Sequence, residues 1–348
     1  MRILITGNMG YVGPVVVSHL RRRFPQSELL GFDTGFFGDC LMTNGPLPET
    51  LLNAQYFGDV RELSDDMPTG LDAIVHLAAV SNDPIGNRFA DATDAINRAA
   101  TVRLASRAAA AGVKAFVVAS SCSVYGAADD RPKREDDALN PLTAYARSKV
   151  SAEEALATID LGGMTVTCLR FATACGMSDR LRLDLVLNDF VACAVTSGEI
   201  TVLSDGSPWR PLIDVHDMAL AIEWAIVRSA DQGARMLRVN VGSDRGNRRV
   251  RDLAAEVAAL VPGTSVNINT AALSDARSYR VDFSLFQHLA PNFQPRIDIE
   301  QSIIALIEGL RAIHFDDSNF RRSRRVMRLP ALSALIDTGK ITPDLRWS

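Results

Sequence analysis

Lysine is scarce: the chain has four lysines in 348 residues, against 33 arginines, and a net charge of −4. The basic residues are spread out, so composition offers no nucleic-acid or anionic-membrane partner. The one dense cluster, Arg321-Arg322-Ser323-Arg324-Arg325, lies among apolar residues and is read as a solvated helix face or a subunit contact. Cysteine and histidine are equally sparse, at five each. Cys40, Cys122, Cys168, Cys175 and Cys193 show no metal-ligand spacing and are odd in number. That argues for reduced, mostly buried thiols rather than a disulfide framework. The histidines are scattered, so no metal site is expected. No apolar run approaches the length of a membrane span. The first strand begins at residue 1, which leaves no signal peptide, and a cytoplasmic location is expected. Hydrophobic content of 47% and charged content of 22% suit an ordinary globular core, with no internal repeat or low-complexity linker.

What is present begins at once. Met1-Arg-Ile-Leu-Ile-Thr6 is a short apolar, β-branched run that suits a strand buried on both faces. Gly7, Gly10 and Gly13 follow, permitting a tight turn, a close ligand approach and close helix packing. The next segment, from Val15, continues as a helix whose N-terminus can hold a pyrophosphate. A second strand, Glu28 to Phe32, ends in Asp33, at the spacing of a carboxylate that binds an adenosine ribose hydroxyl.

Further strands are expected at 72–77, 115–119 and 165–169, with a short one at Tyr56–Phe57. Helical stretches such as 91–111 and 145–159 lie between them. This alternation predicts an α/β fold, a doubly wound parallel (Rossmann) sheet with a smaller C-terminal substrate-binding domain. The expected division is 1–176 plus 212–242 for the sheet domain and 177–211 plus 243–310 for the smaller one. A helical tail, 311–348, would be built around Leu332 to Ile336 and stopped by Gly339. Pro211 to Arg228 is expected to supply a strand and a helix capped by Asp217.

Tyr145 and Lys149 are four residues apart on one helical face. A phenol titrates near pH 10 and is a poor base at neutral pH. A neighbouring ammonium and a positively charged nicotinamide would lower that value and make a usable general acid/base. The strand Ala115–Ala119 runs into Ser120-Ser121-Cys122-Ser123-Val124-Tyr125-Gly126, which places hydroxyls at a carboxyl strand end.

Together these motifs resemble the extended short-chain dehydrogenase/reductase family, in its nucleotide-sugar epimerase/dehydratase branch. The resemblance runs from residue 1 to about 310. It also rests on Gly58-Asp59-Val60, His76-Leu-Ala-Ala79, Asn97 and Arg210-Pro-Leu-Ile-Asp-Val-His-Asp217. It implies NAD as cofactor, held by Gly7, Gly10, Gly13, Asp33, Asp59, Val60, Ala78, Ala79, Asn97, Tyr145 and Lys149. It implies Ser121, Tyr145 and Lys149 as the catalytic set, and Ser123, Thr173, Arg210 and Arg277 as substrate contacts. The two arginines would hold a nucleotide diphosphate, for which a planar guanidinium is suited. A homodimer through helices near 91–111 and 145–159 is also implied.

Where the family's dehydratases carry an Asp-Glu pair, this chain has Cys122 and Ser123, so water elimination across C5–C6 is not expected. Phe171-Ala-Thr173-Ala-Cys175-Gly176 departs from the Phe-Asn common in 4-epimerases. Cys122, Cys175 and His216 are conceivable extra acid/base groups, read in the first instance as packing residues. The function implied is 4-epimerisation of a UDP-, GDP- or dTDP-hexose through a 4-keto sugar. The alternatives are a 4-ketoreductase and, from another class, a non-catalytic nucleotide sensor, against which the complete Ser/Tyr/Lys set argues.

NAD should bind in preference to NADP. Asp33 stands where a 2′-phosphate would lie, and no arginine or lysine follows it before residue 61. Like charges about 4 Å apart repel by roughly 1–4 kcal/mol at effective dielectrics of 80 to 20. Titration of both dinucleotides checks this, and equal or tighter NADP binding contradicts it.

Overall fold

The computed structural model describes residues 1–127, 131–272 and 277–348. Strand β1 (Arg2–Thr6) sits inside the main sheet because Ile3, Leu4 and Ile5 bury apolar surface on both faces. The strands that follow are β2 (Glu28–Asp33), β3 (Ala54–Phe57), β4 (Ala73–His76), β5 (Ala115–Ser121) and β6 (Thr165–Phe171). After them come β7 (Thr173–Cys175), β8 (Glu199–Val202), β9 (Trp209–Asp214), β10 (Met236–Val241), β11 (Asn247–Arg249) and β12 (Ser265–Ile268). The main sheet is parallel throughout, in the order β10-β6-β5-β4-β1-β2-β3. The order reverses between β1 and β4, which opens a crevice at their carboxyl ends.

Alternate residues of β1 feed two cores. Ile3 and Ile5 pack with Val16, Val17 and Leu20 of the helix Gly13–Arg23 and with Ile222 of the helix Val215–Val227. Leu4 packs on the other face with Phe116 and with Leu104 and Ala108 of the helix Thr101–Ala110. The doubly wound architecture expected from the alternation is therefore present. All five cysteines are buried and unpaired. Among the described residues, no helix is long and apolar enough to cross a membrane.

Local differences have physical causes. The stretch 91–111 is not one α-helix: a π-helical segment, Ala95–Ala100, separates Ala90–Asp94 from Thr101–Ala110. In that segment the Asn97 amide bonds both the N–H and the C=O of Val80, at 2.8 and 2.9 Å. The helix Val215–Val227 is capped by Asp214, which accepts from the His216 N–H, and not by Asp217. Asp217 accepts instead from the backbone N–H groups of Arg296 and Ile297. Strand β9 does not enter the main sheet; it lies between β7 and β11 in a three-stranded sheet, and β10 alone rejoins the large one.

The tail crosses back over the N-terminal half. Its helix, Arg328–Asp337, places Leu332 against Val80, Ile85 and Ala92, and Ile341 and Leu345 join the same cluster. Gly339, at φ +67°, ends that run in the left-handed region. Trp347 donates to the Thr34 carbonyl at 2.7 Å and packs against Phe36 with the rings tilted, centroids 5.3 Å apart. Of the basic cluster, Arg321 forks onto the Asp189 carboxylate and Arg325 donates to the Leu41 carbonyl.

Candidate active site

A cleft of about 900 Å³ runs along the carboxyl ends of the strands. The glycine-rich loop forms its floor. A Cβ on Gly7, at φ +75°, would stand 2.5 Å from the Ala78 nitrogen, and one on Gly13 would stand 2.1 Å from the Asn8 oxygen. Both positions therefore need glycine for the chain's own packing. Gly10 differs: its Cβ would meet only the Gly7 oxygen, at 3.2 Å, and it otherwise faces the cleft.

Asp33, at the end of β2, accepts from the N–H groups of Met9 (3.0 Å) and Gly35 (2.8 Å). Burial pushes its carboxyl up, and these two bonds oppose the rise. A carboxylate offers about four acceptor sites, so about two remain for ribose hydroxyls. Asp59 lines the cleft and is held there by accepting the Arg61 N–H and pairing with its guanidinium at 2.5 Å. Val60, Ala78 and Ala79 line the cleft. Asn97 is not among the lining residues; it braces Val80, which is. The residues present fit a dinucleotide, with a cradle that extra side chains would fill and an acid beyond it.

Ser121, Tyr145 and Lys149 come together at the carboxyl end of β5. The helix Ala144–Leu156 carries the last two and starts where Thr143 accepts from the Ala146 N–H. Ser121 and Tyr145 share a side-chain hydrogen bond. The Lys149 ammonium donates to the Ala119 carbonyl at 2.7 Å and stands 5.7 Å from the Tyr145 ring centroid. Burial pushes the Tyr145 phenol up to about 12, with the Ser121 bond opposing. Burial also brings Lys149 down to about 8. The lowering comes from Ser121 and from the charge of Arg182 rather than from the expected ammonium, and desolvation outweighs it. A cation bound beside the ring would act in the opposite direction.

The other expected contacts also reach the cleft. Ser123 contributes a buried Oγ with no hydrogen-bond partner among the described residues, and Thr173 also lines the cleft. Arg210 and Arg277 both line it; Arg277 also pairs with Asp83 at 2.6 Å. Cys122, Cys175 and His216 do not line it. Cys122 donates to the Arg170 carbonyl, Cys175 is fully buried with its thiol pushed up by burial, and His216 pairs with Asp214. Sequence reading missed Arg182, which lines the cleft, pairs with Asp184 at 2.9 Å and donates to Ser81. The alternation Arg180-Leu181-Arg182-Leu183-Asp184 carries a signal for it, hidden because both leucines and both arginines are buried. Among the described residues no cluster could hold a metal ion.

Comparison with known proteins agrees with this geometry. A family model described as the NAD dependent epimerase/dehydratase family matches residues 3–242. The chain is 28% identical over 331 residues to UDP-glucose 4-epimerase of Mycolicibacterium smegmatis, covering 89% of this chain and 99% of that protein. It is 27% identical over 241 residues to dTDP-glucose 4,6-dehydratase of Streptomyces griseus, covering 68% and 71% of the two chains. The solved structure of MoeE5 in complex with UDP-glucuronic acid and NAD superposes with a TM-score of 0.74 at 26% identity, covering 90% of this chain and 99% of that one.

The Lys149 shift sets a pH dependence. With a folded value near 8 and an ordinary value of 10.5, the unfolded chain binds more protons between those limits. The contribution is complete above 10.5 and is lost as pH falls through 8. Urea unfolding of the cofactor-free protein should show wild type gaining on Lys149→Met by up to about 3 kcal/mol across this window. A gap independent of pH would mean the ammonium is not desolvated.

Proposed function

The chain belongs to the NAD dependent epimerase/dehydratase family, and within it we propose a nucleotide-sugar 4-epimerase. The observation that carries this reading is the convergence of Ser121, Tyr145 and Lys149 beside the glycine-rich loop, with Arg210 and Arg277 on the same cleft. The chemistry supplied by bound NAD is reversible acceptance of a hydride from the sugar carbon.

Tyr145 removes the C4 hydroxyl proton as the hydride leaves and returns a proton to that oxygen after the keto sugar has turned over. Ser121 bonds the same oxygen and keeps the phenol aligned. Lys149 and the cofactor's own positive charge offset the desolvation that otherwise holds the phenol protonated. Arg210 and Arg277 grip the nucleotide diphosphate, leaving the sugar free to present either face, while Ser123 and Thr173 offer hydroxyls to it. Water elimination is disfavoured because Cys122 and Ser123 are poor acids: burial pushes the Cys122 thiol well up, and Ser123 is a neutral hydroxyl.

The enzyme would act as a homodimer through the helices Thr101–Ala110 and Ala144–Leu156, the first of which has an alanine-rich flank allowing close approach. A monomeric mass by light scattering at micromolar concentration argues against that assembly.

The reaction is tested by incubating the protein with UDP-, GDP- and dTDP-hexoses and separating the C4 epimers. Epimer formation without added reductant is expected, and Tyr145→Phe should lose 10²–10⁴-fold in rate while still binding NAD. Reduction of an NDP-4-ketohexose at the expense of NADH, with no epimer formed, would replace this reading with a ketoreductase. A Tyr145→Phe enzyme keeping more than a tenth of the rate would move the catalytic site elsewhere.

A further inference from the structure

Arg328 begins the tail helix, and its side chain is buried, at 2% exposure. It donates to the carbonyl of Arg180 at 2.8 Å and, more weakly, to that of Arg325 at 3.5 Å. Its guanidinium lies over the Phe37 ring, 4.8 Å from the centroid. Among the described residues no carboxylate stands within ion-pair distance of it. Its two arginine neighbours are matched, Arg180 with Glu49 and Arg182 with Asp184. Of these three guanidiniums, Arg328 alone has no carboxylate in direct contact among the described residues. Burial lowers Arg328 to about 10; Arg182 and Arg180 push the same way, and Cys40 and the more distant Asp184 only partly oppose them. A buried cation with no counter-ion is costly, so such an arrangement calls for an anion.

Arg328 lines the same cleft as Gly10, Tyr11 and Val12. Those residues lead into the helix Gly13–Arg23, whose N-terminus has no side-chain cap. Backbone N–H groups at an uncapped helix N-terminus and a guanidinium without a carboxylate partner, lining one cleft, suit a diphosphate. A dinucleotide running from Asp33 to Tyr145 has its diphosphate midway, at this loop. We propose that Arg328, supplied by the C-terminal tail, binds the cofactor's diphosphate. Residue 328 lies outside the matched family region, 3–242, so family membership does not supply it. It would serve any NAD-dependent reaction in this cleft, whichever sugar is turned over.

The test uses cofactor-free protein titrated with ADP-ribose, adenosine and UDP in the wild type, Arg328→Gln and Arg328→Lys. Arg328→Gln keeps a donor for the Arg180 carbonyl but removes the charge. It should bind ADP-ribose about ten- to hundredfold more weakly, bind adenosine and UDP as wild type does, and melt no lower without ligand. Arg328→Lys should recover part of the ADP-ribose affinity. Unchanged ADP-ribose binding in Arg328→Gln overturns the assignment. So does an equal loss for adenosine, or a loss confined to UDP. Failure of Arg328→Gln to fold also overturns it, because the arginine would then be holding the tail to the Arg180 carbonyl.

Discussion

The buried ion pair between Glu153 and Arg170 underlies the site. Arg170, on β6, forks onto the Glu153 carboxylate, with its closest contact at 2.6 Å, and both side chains are almost wholly buried. Ser120 on β5 donates to the same carboxylate. Arg170 also donates to the Tyr125 hydroxyl, which donates on to Asn240 of β10. One carboxylate thus ties two central strands to the helix that carries Tyr145 and Lys149, with Lys149 one turn before Glu153. Such a pair adds little net stability over an apolar substitute, but losing one partner strands a charge and costs about 3–5 kcal/mol. Its contribution is geometric: Ser121 follows directly on Ser120, so the network fixes both sides of the Ser121–Tyr145 hydrogen bond.

The electrostatics of the site follow from that enclosure. Tyr145 is pushed up and Lys149 down, so burial favours the neutral form of each. His76, enclosed between Thr6 and Thr101, is driven to about 3 by the same cause and is a neutral hydrogen-bonding core residue. Burial opposes the phenolate of Tyr145 while Lys149, near 8, is still largely an ammonium at neutral pH, and the cationic ring of the oxidised cofactor is the natural source of further compensation. Sequence spacing identifies which groups can meet; only the enclosure reveals the state in which they wait.

What was legible in the sequence was local. The glycine loop, Asp33, and the Tyr145/Lys149 pair are set by offsets within one strand–turn–helix unit or one helical turn, and the structure brings them to one cleft. The alternation of strands and helices was legible too, because buried parallel strands are continuous apolar runs. What was hidden depends on distant partners. Nothing in the residues around 209–214 says that this strand pairs with β7 and β11 rather than with the large sheet. Asp214 and Asp217 are equally good caps by composition, and the choice is made by the backbone near 296, which claims Asp217. Arg328 reads as one more arginine near a basic cluster until its neighbours Arg180 and Arg182 are seen to be matched.

The tail also bears on how the molecule assembles itself. Arg61 reaches the carbonyl of Leu345, and Trp347 reaches Thr34, across separations of 284 and 313 residues. These contacts cannot form until all seven strands of the large sheet have been made, and contacts so far apart in sequence are slow to find each other. The helix Arg328–Asp337 and the residues up to Leu345 rest on a small cluster of their own, whereas Phe320 and Val326 earlier in the tail belong to the main core, so the tail is anchored at its start and lightly held beyond it. A newly made chain therefore has every strand of the large sheet before it has the tail residues that line part of the cleft.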